Sequence, residues 1–362
     1  YFRLTVMDHG FGIIGTGDIA AVHARAIASV VNAHLAGVTD IAGDKALAFG
    51  KQFSCKVFDS VSALVNSPEI EIVCICTPSG THLEPALEVI KAGKHCIVEK
   101  PLEVTMRRCK AIISAAKKKD VVVAGIFPMR FLDINMEVRK AVDAGRFGKL
   151  VLGDVYVKWF RSQSYYEQVK WRGDLKTSGG GALMNQAIHS VDLLRWMMGD
   201  VAEVNAFSTT LGHSGLDVED TAIANLRFKN GALGVIEAST AVFPGSYKRM
   251  EILGTRGSVV IEEEKIVKWE FTYETEHDRE IRLLFSGENI EGGGVSDPKA
   301  INDTGHIRQI SDMIEAIETG RPPAIDAEEA TKAVEIIEAI YESARNGKTV
   351  SLKGKIQSLK NK

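Results

Sequence analysis

The fold of this chain is decided by the stretch Phe11-Gly12-Ile13-Ile14-Gly15-Thr16-Gly17-Asp18-Ile19-Ala20. Its first four residues have the composition of a buried strand, and the residues that follow the stretch have that of a helix. The G-x-G-x-x-A turn lies between them: Gly15 permits a tight turn, Gly17 lets a phosphate approach the backbone, and Ala20 lets the helix pack closely on the strand. Because a helix N-terminus favours anions, the stretch predicts a dinucleotide-binding turn.

From this turn to Phe127, short β-rich runs alternate with helical stretches. The predicted strands are Phe11–Ile14, Ala33–Asp40, Lys56–Phe58, Ile70–Cys76, His95–Val98 and Val121–Phe127. The predicted helices are Ile19–Val31, Lys45–Phe53, Val61–Asn66, Leu83–Lys91 and Thr105–Lys119. Alternation of this kind predicts a parallel sheet covered on both faces. We therefore predict an α/β fold whose residues 7–128 form a Rossmann domain with a doubly wound parallel sheet.

After Lys149 the pattern changes to the period of two that is typical of half-buried strands. One face of the first such strand is predicted to carry Val151, Gly153, Val155, Val157 and Trp159. Further strands are predicted at Glu203–Thr210, Thr221–Phe228, Ala232–Val242, Lys248–Leu253 and Ser258–Ile261. Asn230-Gly231 predicts a type I′ hairpin turn. Residues 129–362 are thus predicted to form an α+β domain with a large, mainly antiparallel open sheet.

Two helices close the chain, at Ile307–Glu318 and Glu328–Asn346, and they are free to pack on either domain. The residues before Met7 are unlike the pattern that follows. We therefore expect Met7 to be the native start, with Tyr1–Val6 added before it.

Composition excludes several classes of protein. The 362 residues include 44 Lys+Arg and 47 Asp+Glu, a net charge of −3, so no basic excess indicates nucleic acid as a partner. No apolar run has the length of a membrane helix. With 45% hydrophobic residues the chain has material for a sizeable core. Its five cysteines form no C-x-x-C pair, which favours a reducing cytoplasm.

Asp40 ends the predicted second strand. A carboxylate at this point accepts hydrogen bonds from the adenosine ribose hydroxyls, and the next three residues contain no Arg to neutralise a 2′-phosphate. NAD is therefore favoured over NADP as the cofactor. The alternative is that Asp40 caps a helix or a turn.

Two further predicted strands end in motifs that face the cofactor, because ligands of such sheets lie at the carboxyl ends of the strands. The fourth strand ends in T-P-S-G-T-H at Thr77–His82, and the fifth ends in E-K-P at Glu99–Pro101. Lys100 in this position is suited to binding a substrate hydroxyl and passing its proton. Taken alone, the tripeptide is more typical of a solvated turn, and its position at a strand end is what favours the functional interpretation.

Three glycines at Gly179–Gly181 precede an otherwise apolar helical segment. At about 100° per residue, Asn185, His189 and Asp192 fall on one face of a helix, as cavity-lining residues do. Alternatively, His189 is a core histidine satisfied by Asp192. The glycines would let a ligand approach the backbone and its N–H groups.

Candidate substrate contacts precede the glycines in a polar, aromatic loop that contains Tyr165, Tyr166, Trp171 and Arg172. Aromatic faces suit the C–H surfaces of sugars, and Arg172 suits a carboxylate or a phosphate. Core packing is the alternative for Trp171. No H-E-x-x-H motif or clustered ligand spacing is present, so no metal is predicted.

In their order, these motifs resemble the Gfo/Idh/MocA family of NAD(P)-dependent oxidoreductases over nearly the whole chain. The motifs that carry the resemblance are at Gly15–Ala20, Thr77–His82, Glu99–Pro101 and Gly179–Asp192, with support from Arg130-Phe131, Gly145–Gly148, Glu219–Ala222 and His306. The resemblance implies hydride transfer between the nicotinamide and a secondary ring hydroxyl or ketone of a sugar, cyclitol or nucleotide sugar. It also implies a homo-oligomer, a dimer or tetramer, through the C-terminal sheet.

The resemblance also implies roles for individual residues. The catalytic residues are Lys100, His189 and Asn185, the last standing where many members have Asp. The cofactor-binding residues are Gly15, Thr16, Gly17, Asp18, Ile19, Ala20, Asp40, Thr77, Pro78, His82, Glu99 and Lys100. The substrate-binding residues are Lys100, Arg130, Tyr165, Trp171, Arg172, Asn185, His189 and Asp192. Because asparagine carries no charge, proton transfer is expected to depend on Lys100 and His189.

Two alternatives from other classes remain open on the sequence alone. One is a non-redox, glycosidase-type enzyme whose tightly held NAD is reduced and reoxidised within each turnover. The other is a non-catalytic, NAD-binding regulatory protein on the same scaffold, which Asn185 allows and Lys100 and His189 disfavour.

Overall fold

The computed structural model describes residues 7–287 and 303–352, so the expectation for Tyr1–Val6 lies outside the described residues. The chain divides into two compact units. Unit 1 comprises residues 7–132, 176–179 and 303–334, and unit 2 comprises residues 133–175, 180–287 and 335–352. None of the described helices combines the length and the apolarity that a membrane crossing requires.

Unit 1 contains the alternating elements that the sequence predicts. Its strands are β1 (His9–Ile14), β2 (Ala33–Thr39), β3 (Lys56–Val57), β4 (Ile72–Ile75), β5 (His95–Val98) and β6 (Val123–Gly125). The intervening helices are α1 (Asp18–Ala28), α2 (Gly43–Phe53), α3 (Val61–Val65), α4 (Leu83–Lys91) and α5 (Met106–Lys119). All strands are parallel, in the order β3-β2-β1-β4-β5-β6. This is the strand order of a dinucleotide-binding sheet, and it confirms the predicted Rossmann fold.

The sheet forms because its strands are apolar on both faces. Every residue of β1 and β4 is buried, as expected where helices cover both sides. Polar side chains start two of the helices: Ser60 accepts a hydrogen bond from the Ala63 N–H, and Thr105 accepts one from the Arg108 N–H. The consequence is a rigid sheet whose carboxyl edge positions the loops after β1, β2, β4 and β5.

Unit 2 is built around one large sheet. Its helices are α6 (Asp133–Asp143), α7 (Gln163–Glu167), α9 (Ile188–Met198) and α10 (Glu276–Leu284). The short helix α8 (Leu175–Ser178) begins in unit 2, and its other three residues belong to unit 1. Its strands are β7 (Leu150–Lys158), β8 (Val201–Thr209), β9 (Thr221–Phe228), β10 (Leu233–Ser239), β11 (Arg249–Gly254), β12 (Gly257–Glu262), β13 (Lys265–Phe271) and β14 (Val350–Ser351). The order of the described strands is β13-β12-β11-β7-β10-β9-β8-β14, and among them only the β7–β10 pair is parallel. The predicted mainly antiparallel sheet is confirmed.

One face of this sheet is covered by α9. Gly153 lies beneath the helix, where an added Cβ would come within 2.4 Å of the Met198 side chain. Val155 and Val157 share the covered face and are buried, but Val151 is exposed, so the predicted face holds only for the middle of the strand.

The hairpin between β9 and β10 forms where it was predicted, but its turn is of another type. Gly231 has a positive φ of 88°, whereas Asn230 does not, so the turn is not type I′. The Gly231 N–H donates to the Phe228 carbonyl, which closes a type I turn followed by a glycine bulge. Asn230 instead uses its side-chain amide to bind the Met198 carbonyl at 2.8 Å, which ties the hairpin to the end of α9.

The two closing helices are α11 (Thr304–Thr319) and α12 (Ala327–Asn346). In unit 1, Ile310, Met313 and Ile314 of α11 join the core cluster that contains Ala24 and Ile27 of α1. The spacing of three and four residues brings these side chains to one face of α11. Helix α11 is therefore part of the cofactor-domain core rather than an appendage.

Candidate active site

The glycine turn after β1 fits a pyrophosphate. Gly15 has φ +90°, and a Cβ there would lie 2.8 Å from the Cys76 carbonyl oxygen, so no other residue is accommodated without strain. Within the described part of the chain, nothing lies within 4 Å of a Cβ added at Gly17, and no side chain forms a capping hydrogen bond at the start of α1. The turn thus offers an open approach to the positive end of an 11-residue helix.

Asp40 is fixed against this turn. Its Oδ2 accepts the Thr16 N–H at 2.7 Å and the Thr16 hydroxyl at 2.9 Å, and its Oδ1 accepts the Ala42 N–H at 2.8 Å. The carboxylate therefore caps a turn, as the alternative interpretation states, and is also held beside the phosphate-binding loop. A carboxylate has about four lone-pair sites, so acceptor capacity remains for a ribose hydroxyl.

His82 joins the two loops at the ends of β4 and β5. Its ring is fully buried, and its Nδ1 and Nε2 each lie 2.9 Å from a backbone carbonyl oxygen, of Pro101 and Thr77 respectively. The ring therefore positions these loops. A direct contact of His82 with the cofactor stays a prediction, as does one of the partly exposed Thr77 and the exposed Pro78.

Lys100 lies two residues after the end of β5 and keeps part of its surface exposed. Burial lowers the pKa of its ammonium group, while the negative charge of Glu99 opposes this change. A lysine that loses its proton more readily than usual is suited to accept one from a substrate hydroxyl. The environment thus agrees with the predicted proton-transfer role.

Three buried titratable side chains, His23, Glu99 and His306, lie together, and we call them the His–Glu–His cluster. Glu99 is the residue that precedes Lys100 in the chain. His23 Nε2 lies 2.8 Å from Glu99 Oε1, and His306 Nε2 lies 3.8 Å from the same oxygen. The side chains of all three are at most 6% exposed. Ligand-type atoms of the three residues lie within 4.8 Å of one another. Glu99 is therefore enclosed by histidines, and a direct contact with the cofactor stays a prediction.

In unit 2 the segment with His189 differs from the predicted single helix. Residues Ala182–Ala187 form a π-helical turn, and α9 begins only at Ile188. A π-helix has more residues per turn than an α-helix, so the assumption of 100° per residue is wrong for Asn185. His189 and Asp192 share α9 at a spacing of three residues. Asn185 and His189 are partly exposed, whereas Asp192 is 1% exposed.

The anion at the start of this π-helical turn belongs to the protein itself. The Glu219 carboxylate accepts the N–H groups of Gly181 at 2.9 Å and Leu183 at 2.8 Å. An added Cβ at Gly180 would lie 2.0 Å from the Tyr341 hydroxyl, and one at Gly181 would lie 1.8 Å from the Glu219 carbonyl oxygen. The expectation that the glycines admit a ligand is therefore wrong for these two positions, which admit Glu219 and Tyr341.

Glu219 is buried and bound by three donors. Tyr341 donates its hydroxyl to Glu219 Oε1 at 2.9 Å, in addition to the two backbone N–H groups. Burial raises the pKa of the Glu219 carboxyl, and its three donors counteract part of that rise. Burial and the neighbouring carboxylate raise the pKa of Tyr341, which keeps its proton on the hydroxyl. This contact holds the segment that carries Asn185 and His189.

The aromatic loop of unit 2 gathers two guanidinium groups around one ring. Arg172 lies 4.0 Å from the Tyr165 ring centroid, and Arg161 lies 5.6 Å from it. The Tyr165 hydroxyl accepts a hydrogen bond from the Gln186 side chain at 3.0 Å. Tyr166 is buried and bonds Thr240 at 2.8 Å, so it supports the loop instead of facing a ligand. Trp171 is partly exposed on a short 3₁₀ turn.

Arg130, a predicted substrate contact, has a partner within its own unit. Its guanidinium pairs with Glu329 at 2.8 Å, and the residue is 6% exposed. This pairing neutralises its charge in unit 1, and a substrate role for Arg130 stays a prediction.

Sequence reasoning missed His23, Arg161 and Tyr341. A signal for His23 was present, because it falls on the face of α1 that buries Ala20, Ala24 and Ile27, where a titratable residue needs a partner. The sequence contains no signal for Tyr341, because its partner Glu219 is 122 residues away in the chain.

Comparisons with known proteins agree with this geometry. Residues 9–127 match the family model described as an oxidoreductase family with an NAD-binding Rossmann fold, and residues 135–260 match the GFO/IDH/MocA C-terminal domain. A myo-inositol 2-dehydrogenase of Thermotoga maritima is 28% identical, with 94% of this chain and 98% of that protein covered. A levoglucosan dehydrogenase of Pseudarthrobacter phenanthrenivorans is 30% identical, with 70% and 73% covered. The crystal structure of the WlbA dehydrogenase from Bordetella pertussis, in complex with NADH and UDP-GlcNAcA, is 30% identical with a TM-score of 0.85, covering 96% of this chain and 99% of that one.

Proposed function

The chain belongs to the Gfo/Idh/MocA family of NAD-binding oxidoreductases, and from this premise we propose that it oxidises a secondary ring hydroxyl of a sugar, cyclitol or nucleotide sugar with NAD. The observation that carries the proposal is the pair formed by Thr16 and Asp40. The Asp40 carboxylate is held beside the glycine turn by Thr16, which supports its proposed role as the acceptor for the ribose hydroxyls. The residues that would hold the cofactor are the turn Gly15–Ala20, Asp40, and the loops after β4 and β5.

When bound, NAD supplies the acceptor for the hydride. Lys100 then binds the hydroxyl of the substrate and accepts its proton, since burial lowers the pKa of its ammonium and makes the neutral form accessible. His189 of unit 2 is assigned as the partner acid/base. Asn185 donates or accepts a hydrogen bond but moves no proton.

The substrate class is proposed from two sources. The relatives described above are named for myo-inositol and levoglucosan, and the WlbA structure holds a nucleotide sugar acid. In this chain the partly exposed ring of Tyr165 suits the C–H face of a sugar, and Arg172, stacked on that ring, suits a carboxylate or phosphate. Trp171 and Asp192 stay in the proposed set of substrate contacts. We assign no metal to the reaction.

Net nicotinamide turnover separates this function from its alternatives. A non-redox enzyme returns its cofactor to NAD in each cycle, so it consumes sugar without accumulating NADH. A regulatory protein binds NAD and does not consume sugar. Lys100 and His189 would have no task in a regulator, which favours the dehydrogenase.

The test is oxidation of myo-inositol, levoglucosan and UDP-GlcNAcA with NAD⁺, followed by NADH absorbance. The wild type is expected to oxidise at least one of them. Lys100→Met is expected to lose at least 100-fold in kcat, the range of general base catalysis, while its affinity for NADH falls much less. Lys94→Met, which alters a lysine at the opposite edge of the same sheet, is the matched control. Turnover by Lys100→Met near the wild-type rate would remove Lys100 from the mechanism.

We also propose that the open face of the large sheet joins copies of this chain. Phe207 and Ile223 are paired on neighbouring strands, and they are 75% and 47% exposed. Large exposed apolar side chains on a sheet favour association. Light scattering is expected to give a dimer or tetramer, and Phe207→Glu to give a smaller species; a wild-type monomer would refute the proposal.

The five free cysteines agree with the cytoplasm, where we place the protein.

A further inference from the structure

We propose that Glu99, held in the His–Glu–His cluster, is a positioning residue that fixes the main chain of Lys100 and serves as its buried counter-charge. The inference rests on the proposed role of Lys100 in proton transfer. His23 acts one step further back, by binding the Glu99 carboxylate, and His306 packs against the His23 ring.

The main-chain part of the argument begins where the sheet ends. The Glu99 N–H donates to the Ile75 carbonyl at 3.0 Å, which continues the pairing of β5 with β4. Lys100 lies one residue beyond this bond, and its own N–H donates to Glu99 Oε2 at 3.1 Å. The orientation of the Glu99 carboxylate and the position of the Lys100 backbone are therefore coupled.

The carboxylate is in turn held by two helices. Its Oε1 accepts the hydrogen bond of His23 Nε2 on α1, the helix that begins at the phosphate-binding turn. His306 on α11 packs edge to face against His23, with ring centroids 5.4 Å apart at 72°. Glu99 thus links the helix at the cofactor turn to the lysine at the reacting group.

The geometry of the cluster is that of a hydrogen bond and not that of a metal site. Two ligands of a tetrahedral zinc, each about 2.0–2.2 Å from the ion, are roughly 3.3 Å or more apart. His23 Nε2 and Glu99 Oε1 are only 2.8 Å apart, the distance of a hydrogen bond. Among the described residues, the buried Nδ1 atoms of both histidines and the Nε2 atom of His306 have no hydrogen-bond partner. A bare ring nitrogen is tolerated there more easily than an unpaired N–H, so His23 is assigned the neutral form that is protonated on Nε2.

The charge of the cluster then belongs to Glu99. Burial alone would raise the pKa of the Glu99 carboxyl, but the hydrogen bond from His23 and the nearby His306 ring hold it well below its usual range. Burial lowers the pKa of His23, which agrees with its neutral form. The Glu99 charge also acts on the thiols of Cys74 on β4 and of Cys76 just after it, whose pKa values are raised by burial, so they stay neutral. Lys100 is left as the cation that balances Glu99.

Removal of this counter-charge has a direct consequence for Lys100. The Glu99 charge raises the pKa of Lys100 against the lowering by burial. Without it, burial acts alone, and the lysine loses its proton at lower pH. The cluster therefore determines how much of Lys100 is neutral at a given pH.

The test is NMR titration of protein labelled with ¹³Cε-lysine, which requires no substrate. The resonance that is missing from Lys100→Met identifies Lys100. In Glu99→Gln its titration midpoint is expected to move to lower pH than in the wild type. The matched control is Glu71→Gln, which neutralises one of the two carboxylates that bond His9 at the opposite edge of the same sheet, the one at 2.6 Å. That change is expected to leave the Lys100 midpoint in place.

Variants of His23 supply a second and independent test. His23→Leu leaves the buried carboxylate without its donor, so Glu99 takes up a proton and the Lys100 midpoint falls as in Glu99→Gln. His23→Gln keeps an N–H donor and is expected to restore much of the wild-type midpoint. A merely structural role predicts equal effects of the two His23 variants. NADH binding and thermal unfolding identify any variant that does not fold. If one of Glu99→Gln and His23→Leu does not fold, the Lys100 midpoint of the other tests the proposal.

The outcomes separate this inference from the function on which it rests. If Lys100→Met keeps wild-type turnover, the proposed function of Lys100 fails, whatever the titrations show. If Lys100→Met is inactive but Glu99→Gln leaves the Lys100 midpoint unchanged, only the role of Glu99 is overturned. One equivalent of a transition metal in the purified wild type, lost in His23→Leu, would also overturn it. A midpoint that falls in Glu99→Gln and His23→Leu, but not in Glu71→Gln, supports it.

Discussion

Thr16 donates both its backbone N–H and its hydroxyl to one oxygen of Asp40, at 2.7 and 2.9 Å across 24 residues of sequence. These two hydrogen bonds to one acceptor join the loop after β1 to the residue that follows β2. The phosphate-binding turn and the proposed ribose acceptor are therefore a single preorganised unit, and a change in either one affects both.

Asp40→Ala is expected to weaken NADH binding at least tenfold and to reduce the preference for NADH over NADPH. The variant loses an acceptor for the ribose and the acceptor for Thr16, and it no longer repels a 2′-phosphate. Fluorescence titration with each nucleotide measures both effects. Asp44→Ala, in the first turn of α2, is the control. An unchanged ratio of the two affinities would contradict the assignment of Asp40.

Tyr341→Phe is expected to lower the free energy of unfolding by about 1–3 kcal/mol, since it removes a donor from the buried Glu219 carboxylate. We also expect an effect on catalysis, because Glu219 binds the start of the π-helical turn that carries Asn185. We expect kcat to fall more than NADH affinity. Denaturant unfolding and steady-state kinetics check the two parts, and a variant as stable as the wild type would show that this hydrogen bond contributes nothing.

Asp278 provides a pH-dependent prediction in unit 2. Its carboxylate binds the Arg146 guanidinium and the Trp269 ring N–H, and these partners hold the pKa of Asp278 well below its usual range. A depressed pKa in the folded state contributes stability above the unfolded value of about 3.9, and this contribution is lost as the pH falls below it.

The difference in unfolding free energy between wild type and Asp278→Asn is therefore expected to be full above about pH 5 and to narrow on acidification. Trp269 fluorescence follows the transition, because its ring is buried against the carboxylate. A difference that is constant down to the lowest pH at which the protein folds would show that the charge of Asp278 is immaterial.

Arg172→Gln is expected to raise KM for an acidic sugar such as UDP-GlcNAcA by tenfold or more, with a much smaller change in kcat. Arg172 stacks on Tyr165 and is assigned to binding and not to proton transfer. Lys170→Gln changes an exposed charge two residues away and is the control. Equal effects of Arg172→Gln on myo-inositol and on the acidic sugar would argue against anion recognition by this residue.

Elements with strong local signals were predicted closely from the sequence. Strand β5 (His95–Val98) and helix α4 (Leu83–Lys91) have their predicted bounds, because an apolar run or stripe is enclosed there by turn residues. Helix α6 was missed although its buried Ile134, Val138 and Ala141 have helical spacing. Its many charged residues hid this stripe from the search for apolar runs.

The site was predictable only where its parts are contiguous in the chain. The glycine turn and Lys100 are local motifs at strand ends, so strand order alone places them. The partner of His23 lies 76 residues away, and Glu219 lies 38 residues from the Gly181 N–H that it binds. Such pairs depend on tertiary packing, which no local pattern encodes. For the same reason, the sequence predicted that Gly179–Gly181 would admit a ligand, whereas the nearby N–H groups bind the distant Glu219 carboxylate.

Transfer of the label from a substrate deuterated at the hydroxyl-bearing ring carbon tests the central claim most directly. The sugar or cyclitol that wild type oxidises in the panel is used, and the nicotinamide product is examined by mass spectrometry. We predict one deuterated NADH for each ketone formed, and none with Lys100→Met over the same time. Consumption of the sugar with no net reduced nicotinamide would contradict the account and assign the protein to the non-redox alternative.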